Sequence, residues 1–415
     1  MSKWIKPIVF FVLVALFLAY EMAIQVSPGV MANQLMHDLN LNAYGLGVIA
    51  SFYYYTYTIM QIPAGLLYDR YPVRIVVVIP LVVCSLGALW FANSTTLINA
   101  SLARLLMGGG SAFAFIAVLV VAGDVFPQRR FALLAGLTQM LAAFGAMGGE
   151  LPMHYLVASI GWRGSLWILG AVGLVLAGLI WLFVRYPQQK RQASAKSISI
   201  KQSLLAVIKN SQTWIIALYA CLMWAPMATF ASLWGVPYLK LAYHISPASA
   251  ANLVGLMWLG IAFGSPILGW WSNRINLRRF PLMLAAGFGI VAYTILILLH
   301  PARLWVSALL IFITGMSCAG QALSFAVIRE INSASNRAAA IGFNNMAVVI
   351  AGAIFLPLVG RLMQYHAGGG NALSGSWHYL AADYHFGLLA IVFTYALAVV
   401  ASIFIRETYC EAVEV

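Results

Sequence analysis

The sequence predicts an all-α polytopic membrane protein with twelve transmembrane helices in two six-helix pseudo-repeats. Three observations predict it. Of the 415 residues, 63% are hydrophobic and 8% charged, where a soluble protein of this size carries about 25% charged residues. The apolar runs reach about twenty residues, the length a helix needs to cross hydrocarbon and too long for a barrel strand. A polar loop pattern also recurs once in each half of the chain. This composition excludes a water-soluble enzyme, a secreted disulfide scaffold and a disordered chain.

Six runs come first, near 7–31, 44–67, 75–95, 98–122, 132–157 and 162–184. The first follows a short basic stretch but is longer than a signal core, contains Glu21, Gln25 and Pro28, and lacks a small-residue cleavage site; it reads as a retained helix. The segment 187–211, rich in Lys, Gln and Ser, then separates six spans from six. Within it Ile198 to Ile208 has helical periodicity suited to the membrane surface. Six further runs lie near 212–238, 247–271, 281–299, 304–327, 339–360 and 385–405. A loop near 362–384 with Gly368, Gly369 and Gly370 is the other sizeable non-spanning segment. The expected domains are therefore a bundle at 1–186, a cytoplasmic linker at 187–211, and a second bundle at 212–415 ending in a short cytoplasmic tail.

The net charge of +13 is explained by topology. With Lys3 and Lys6 placed inside, eighteen of the 23 Lys and Arg residues fall on that side. Arg163, Lys240, Arg303 and Arg361 fall outside, and Arg104 lies within a span. Positive residues mark the cytoplasmic face, so both termini are expected there and no nucleic-acid partner is needed. Cys84, Cys221, Cys318 and Cys410 have no metal or redox spacing, and no metal or cofactor is expected. His37, His154, His244, His300, His366, His378 and His385 all fall at or near the outer side, where histidines could sense acid.

The loop repeat is Gly65, Asp69, Arg70 and Arg74 after the second span, matched by Gly269, Asn273, Arg274 and Arg278 after the eighth, at an offset of 204. A duplicated unit is the architecture of many secondary transporters. The segment Gly65 to Arg74 resembles the signature loop of the major facilitator superfamily, and Arg104 to Ala112 resembles that superfamily's helix 4 motif, with Met107 where glutamine is common. More narrowly, QIPAGLLYDR, FPQRRFALLAGLTQM, GWRGSLWI and RETYC are similar to the phagosomal nutrient transporters of intracellular bacteria. The resemblance implies the major facilitator fold, a bacterial inner membrane location, and a proton-coupling role for Arg104.

Ionisable groups at membrane depth cost at least ~2.5–3.5 kcal/mol, so each calls for a reason. Glu21, Arg104 and Glu150, with His154 one turn beyond Glu150, form the candidate substrate and proton site. The alternative is a buried Arg104–Glu150 pair that only locks two helices. Gln25, Tyr53, Tyr57 and Gln61 in the first half could line the same cavity, as could Trp224, Thr229, Gln321, Asn344 and Asn345 in the second. At the cytoplasmic end Gly65, Asp69, Arg70, Arg74 and Asp124 are expected to form a conformational latch. Asn273, Arg274 and Arg278 form its counterpart, expected to be weaker because Asn273 replaces the acid.

The function expected is proton-coupled import of a small polar nutrient by alternating access. One buried acid beside one buried base favours an amino acid. Carriage of an organic anion, carboxylate or iron chelate, or export of a toxic compound, is the alternative. Anion carriers resembling this chain often have arginine near Gln25, and its absence counts against that reading; the span-5 glycines Gly145, Gly148 and Gly149 lack the Gly-Pro pair of drug exporters, which counts against an exporter. A transporter-like receptor would need an output domain that the linker and tail are too short to supply. The chain lacks HExxH, GxSxG, Walker and GxGxxG patterns, so no enzyme is expected. The partners expected are a small-molecule substrate, protons and the bilayer, with the protein a monomer.

Overall fold

The computed structural model describes residues 5–125, 131–183, 200–299, 303–333, 336–368 and 379–411. Among these every regular element is helical. They divide into two compact units, one holding the helices before residue 192 and the other those after it.

The first unit begins with α1 (Ile5–Val26) and α2 (Pro28–Asp38), which bend by 43° at their junction. Pro28 causes the bend: it has no N–H to donate to the Ile24 carbonyl four residues back, and its ring crowds that carbonyl. The unit continues through α3 (Ala43–Arg70), α4 (Val73–Ala92), α5 (Leu97–Ser111), α6 (Ala114–Val125), α7 (Phe131–Gly148) and α8 (Leu151–Phe183). The side chains of Asn42 and Thr96 accept backbone N–H groups at the starts of α3 and α5, the usual way of satisfying orphan donors. The helical stretch Met140–Phe183 is 44 residues long, twice a span. It divides at Gly161, whose φ of 73° only glycine adopts readily. That division recovers the fifth and sixth expected spans.

The second unit contains α9 (Ile200–Lys209), α10 (Ser211–Pro226), a π-helical stretch Met227–Trp234, α11 (Gly235–Ala242), α12 (Pro247–Ile275), α13 (Arg279–Thr294), α14 (Leu304–Cys318), α15 (Gly320–Glu330), α16 (Arg337–His366) and α17 (Ala381–Phe404). A second π turn, Ile295–Leu299, extends α13. The π-helical stretch at 227–234 is wholly buried and follows Pro226, whose missing donor loosens the ordinary i→i−4 ladder. The sequence does not foretell it. Within the stretch expected to be helical at 198–208, α9 forms from Ile200, and α16 extends to His366, into what reads as loop.

Packing repeats between the units. In the first, α3 packs on α5, α4 on α5 and α8, and α1 on α7; in the second, α12 packs on α14, α13 on α14 and α17, and α10 on α16. These are the same span pairs shifted by six. Glycine sets the closest of them. A Cβ on Gly108 of α5 would stand 1.9 Å from the Tyr53 carbonyl oxygen, and one on Gly315 of α14 would stand 2.0 Å from that of Met257. Small residues at such crossings are the membrane means of bringing helices together.

Candidate functional site

Glu21 on α1, Tyr53 on α3 and Arg104 on α5 are each fully buried within the first unit. The Tyr53 hydroxyl donates to Glu21 Oε1 at 2.8 Å. On the other side, the Arg104 guanidinium carbon lies 4.5 Å from the centroid of the Tyr53 ring, an arrangement worth about 2 kcal/mol or more once desolvated. Arg104 Nη1 donates to the Ile24 carbonyl oxygen at 3.2 Å, the acceptor that Pro28 leaves without its helical donor. Ser27 Oγ donates to the same oxygen at 3.1 Å. Among the described residues, Glu21 Oε2 and Arg104 Nε and Nη2 have no hydrogen-bond partner. A buried guanidinium with an open edge is costly unless something arrives to pair with it.

Gln25, one turn beyond Glu21, donates from Nε2 to the Tyr54 hydroxyl at 2.8 Å. Tyr57 stacks on Tyr53 with centroids 5.9 Å apart, and Gln61 is buried one turn further along α3. The first unit therefore brings Glu21, Gln25, Tyr53, Tyr57, Gln61 and Arg104 onto the facing surfaces of α1, α3 and α5. Glu150 is buried as well, but no ion pair joins it to Arg104 among the described residues; the contacts of Arg104 run to Ile24 and Tyr53. His154 is half-buried, its ring 5.7 Å from that of Tyr155.

In the second unit Arg278 organises a separate cluster. Its Nη2 lies 2.7 Å from Glu330 Oε1, and both groups are mostly buried. Nη1 donates to Asn273 Oδ1 at 2.7 Å and to Ser272 Oγ at 2.9 Å. Glu407, beyond α17, accepts the backbone N–H groups of Arg278 and Arg279 at the start of α13, at 2.7 and 2.9 Å. A carboxylate there meets the positive end of the helix dipole. Thr408 Oγ1 also donates to Glu330 Oε2. The strength of this cluster relative to the first-half latch is an expectation that falls on side chains outside the described residues. The acid lost at 273 is supplied by Glu330 from α15, while Asn273 keeps its place as an acceptor.

The description of the Major Facilitator Superfamily matches residues 9–236 and again 225–411, nearly the whole chain in two copies. The chain belongs to the Major Facilitator Superfamily. It is a polytopic membrane transporter of that fold, and transporters of this superfamily are not enzymes. A crystal structure of a bacterial homologue of the human lysosomal transporter Spinster, in an inward-facing and unoccupied conformation, aligns with a TM-score of 0.79 and 18% identity over 98% of this chain and 97% of that one. Among curated relatives, the hexuronate transporter of Escherichia coli is 23% identical over 80% of this chain and 82% of its own. The probable galactarate/D-glucarate transporter GudP of Bacillus subtilis is 26% identical over 38% of this chain and 36% of its own. An efflux pump of Mycolicibacterium smegmatis is 32% identical over 40% of this chain and 39% of its own. The chain thus spans well under half the length of the last two relatives.

This superfamily member places the remaining expected residues unevenly. The side chains of Asp69, Arg70 and Asp124 lie outside the described residues, as does most of the linker. Gly65 is half-buried with open space where a Cβ would go. Arg74 stacks over Trp181 at 3.6 Å, and Arg274 lies exposed over Trp270 at 5.3 Å. Trp224 meets Trp258 edge to face at 6.3 Å, and Thr229 turns its hydroxyl back to the Ala225 carbonyl at 2.6 Å. Gln321 is buried. Asn344 is buried and donates to Ser324 Oγ at 2.8 Å, while Asn345 is half-buried. No cluster of metal-ligating side chains occurs among the described residues.

Sequence reasoning missed the Ile24 carbonyl, Glu330 and Glu407. A backbone acceptor carries no residue signature, although Pro28 four positions on was its signal. Glu330 and Glu407 are acids at the ends of apolar runs, and Glu330 closes α15 much as Asp124 lies near the end of α6.

Proposed function

We propose that this transporter carries an organic acid of the sugar-acid class, together with a proton, by alternating access. The observation that carries the reading is Arg104: a fully buried guanidinium, anchored by one nitrogen to Ile24, whose Nε–Nη2 edge has no partner among the described residues. Two N–H groups on one edge match a carboxylate bidentately. Glu21 is the proton carrier, with one oxygen held by Tyr53 and the other open. The relative that aligns over four-fifths of the chain transports hexuronates, and GudP is named for galactarate and D-glucarate. Both support an organic acid over the amino acid first favoured. The amino-acid reading rested on one buried acid beside one buried base, and the named substrates of these relatives weigh against it. Gln25, bonded to Tyr54, takes the place where anion carriers resembling this chain often have arginine, so Arg104 carries the cationic role alone.

Export is the second reading, and the mycobacterial efflux pump favours it, but that match spans 40% of the chain against 80% for the hexuronate transporter. The likeness of four short stretches to phagosomal nutrient transporters remains a sequence resemblance. The proposal extends to a monomer in the bacterial inner membrane with both termini cytoplasmic, and to a latch in which Asp69 and Asp124 serve Arg70 and Arg74 as Asn273 and Glu330 serve Arg278.

The test is binding and uptake by purified full-length protein in proteoliposomes, with D-glucarate, D-glucuronate and a panel of amino acids. The acids should raise thermal stability by mass action and accumulate when the outside is acidified. Arg104→Gln should abolish both effects. Stabilisation by amino acids alone would return the function to the earlier reading.

A further inference from the structure

Glu21 and Arg104 do not touch, yet both contact Tyr53, one at its hydroxyl and the other at its ring face. Tyr53 cannot move aside easily. Its backbone carbonyl lies where a side chain on residue 108 would have to go, so α3 and α5 meet there without slack. Its ring is braced by Tyr54 edge to face at 5.5 Å and by Tyr57 at 5.9 Å. The freedom left to it is rotation of the O–H bond. A phenol has one proton to donate, and it is now spent on Glu21.

We infer that Tyr53 is the positioning residue that makes proton binding at Glu21 and anion binding at Arg104 favour each other. This rests on the reading of Arg104 and Glu21 given above. While Glu21 is ionised, its Oε1 claims the Tyr53 proton. When a proton from water binds the carboxylate, Glu21 no longer needs that donor. Tyr53 then turns its O–H toward the anion on Arg104, adding a hydrogen bond to the guanidinium pair. No proton leaves Tyr53; its O–H is re-aimed. Conversely, an anion that draws the Tyr53 proton away leaves Glu21 without its donor, and a proton from water fills the place. Other titratable groups within electrostatic reach of Glu21 are Tyr57 on α3 and Cys84 on α4. Around α1, α2 contributes His37 and Asp38, bonded to each other, with Asp38 also paired to Arg163 of α8; the side chain of Asp124 on α6 lies outside the described residues. On α7 there is no ionisable residue, Glu150 lies buried between α7 and α8, and α8 contributes His154, Tyr155 and Arg163. Cys84 lies within electrostatic reach of both Glu21 and Arg104, but among the described groups Tyr53 is the one that contacts both, by its hydroxyl and its ring face.

Two measurements on the full-length protein in nanodiscs test the inference. The first needs no ligand. Thermal midpoints are compared for Glu21→Gln, Arg104→Lys and the double variant, in the wild-type and Tyr53→Phe backgrounds. The two substitutions should be non-additive in the wild-type background and additive once Tyr53→Phe is present. Additivity in the wild-type background overturns the relay. The second uses D-glucarate and D-glucuronate as probes at pH 5.5 and 8.0. Wild-type affinity should rise on acidification by a factor on the order of ten. Tyr53→Phe keeps the ring beneath Arg104, so it should bind at both pH values with that factor reduced to about one. A full pH effect in Tyr53→Phe overturns the inference. If neither acid binds the wild type at either pH, the sugar-acid reading fails, and the ligand-free cycle alone decides whether Tyr53 links the two groups.

Discussion

Arg104 of α5 donates to the backbone carbonyl of Ile24 on α1 at 3.2 Å. That carbonyl is available because the residue four positions on is Pro28. A helix break and a buried cation are thus one feature: the proline removes a donor, and the arginine replaces it from another helix. A proline that bends a membrane helix is tolerated when a neighbour re-satisfies the freed backbone group.

Pro28→Ala should therefore straighten the junction of α1 and α2 and return an N–H to the Ile24 carbonyl. Arg104 would lose its anchor, a hydrogen bond to a charged group worth about 1.5–3 kcal/mol. The expected result is a thermal midpoint equal to or above wild type with substrate affinity lower by about tenfold or more. An affinity within twofold of wild type would detach Arg104 from the break.

Glu21→Gln holds the site in the form of a protonated acid. Exchange of labelled for unlabelled substrate across proteoliposomes should persist, while accumulation driven by a pH gradient should fail. Accumulation at the wild-type level would remove Glu21 from coupling, and Glu150→Gln, tried beside it, then becomes the variant of interest.

Glu330→Ala leaves Arg278 mostly buried without its ion-pair partner. Breaking a buried pair from one side costs about 3–5 kcal/mol, so the variant should lose expression and melt far below wild type. Glu407→Ala should cost less, about 0.5–2 kcal/mol, because it removes an acceptor of backbone N–H groups alone, those of Arg278 and Arg279 at the start of α13 and of Thr408 and Tyr409 beside it. Equal losses in the two variants would mean that the tail, not the ion pair, holds the cluster together.

Gly108→Ala places a methyl group 1.9 Å from the Tyr53 carbonyl oxygen, so α3 and α5 must separate. Gly109→Ala meets its first neighbour at 3.8 Å. The first variant should be destabilised by about 1–3 kcal/mol and lose transport, and the second should match wild type in both. Similar melting of the two would deny that the α3–α5 contact is set by glycine.

Much of this protein was determined by sequence alone, because a bilayer reduces folding to a few strict demands. Backbone groups in hydrocarbon must bond within their own segment, so each apolar run of about twenty residues became helix. The duplication was equally legible: Gly65 to Arg74 and Gly269 to Arg278 announced two units, and the packing pairs of α1–α8 recur in α10–α17. The cost of charge at membrane depth singled out Glu21 and Arg104 before any coordinates. Tertiary structure alone decided whom they meet. Opposite charge suggested Arg104 with Glu150, but the close approach at Gly108 and the carbonyl freed by Pro28 gave Arg104 to Tyr53 and Ile24 instead. Asn273 and Arg278 were legible as a pair, but Glu330 and Glu407, 57 and 134 residues beyond Asn273, joined Arg278 only through packing. Periodicity and hydropathy act within one helix and can be read along the chain. Pairing of buried polar groups depends on which helices touch and how closely, and that is settled only when the bundle packs.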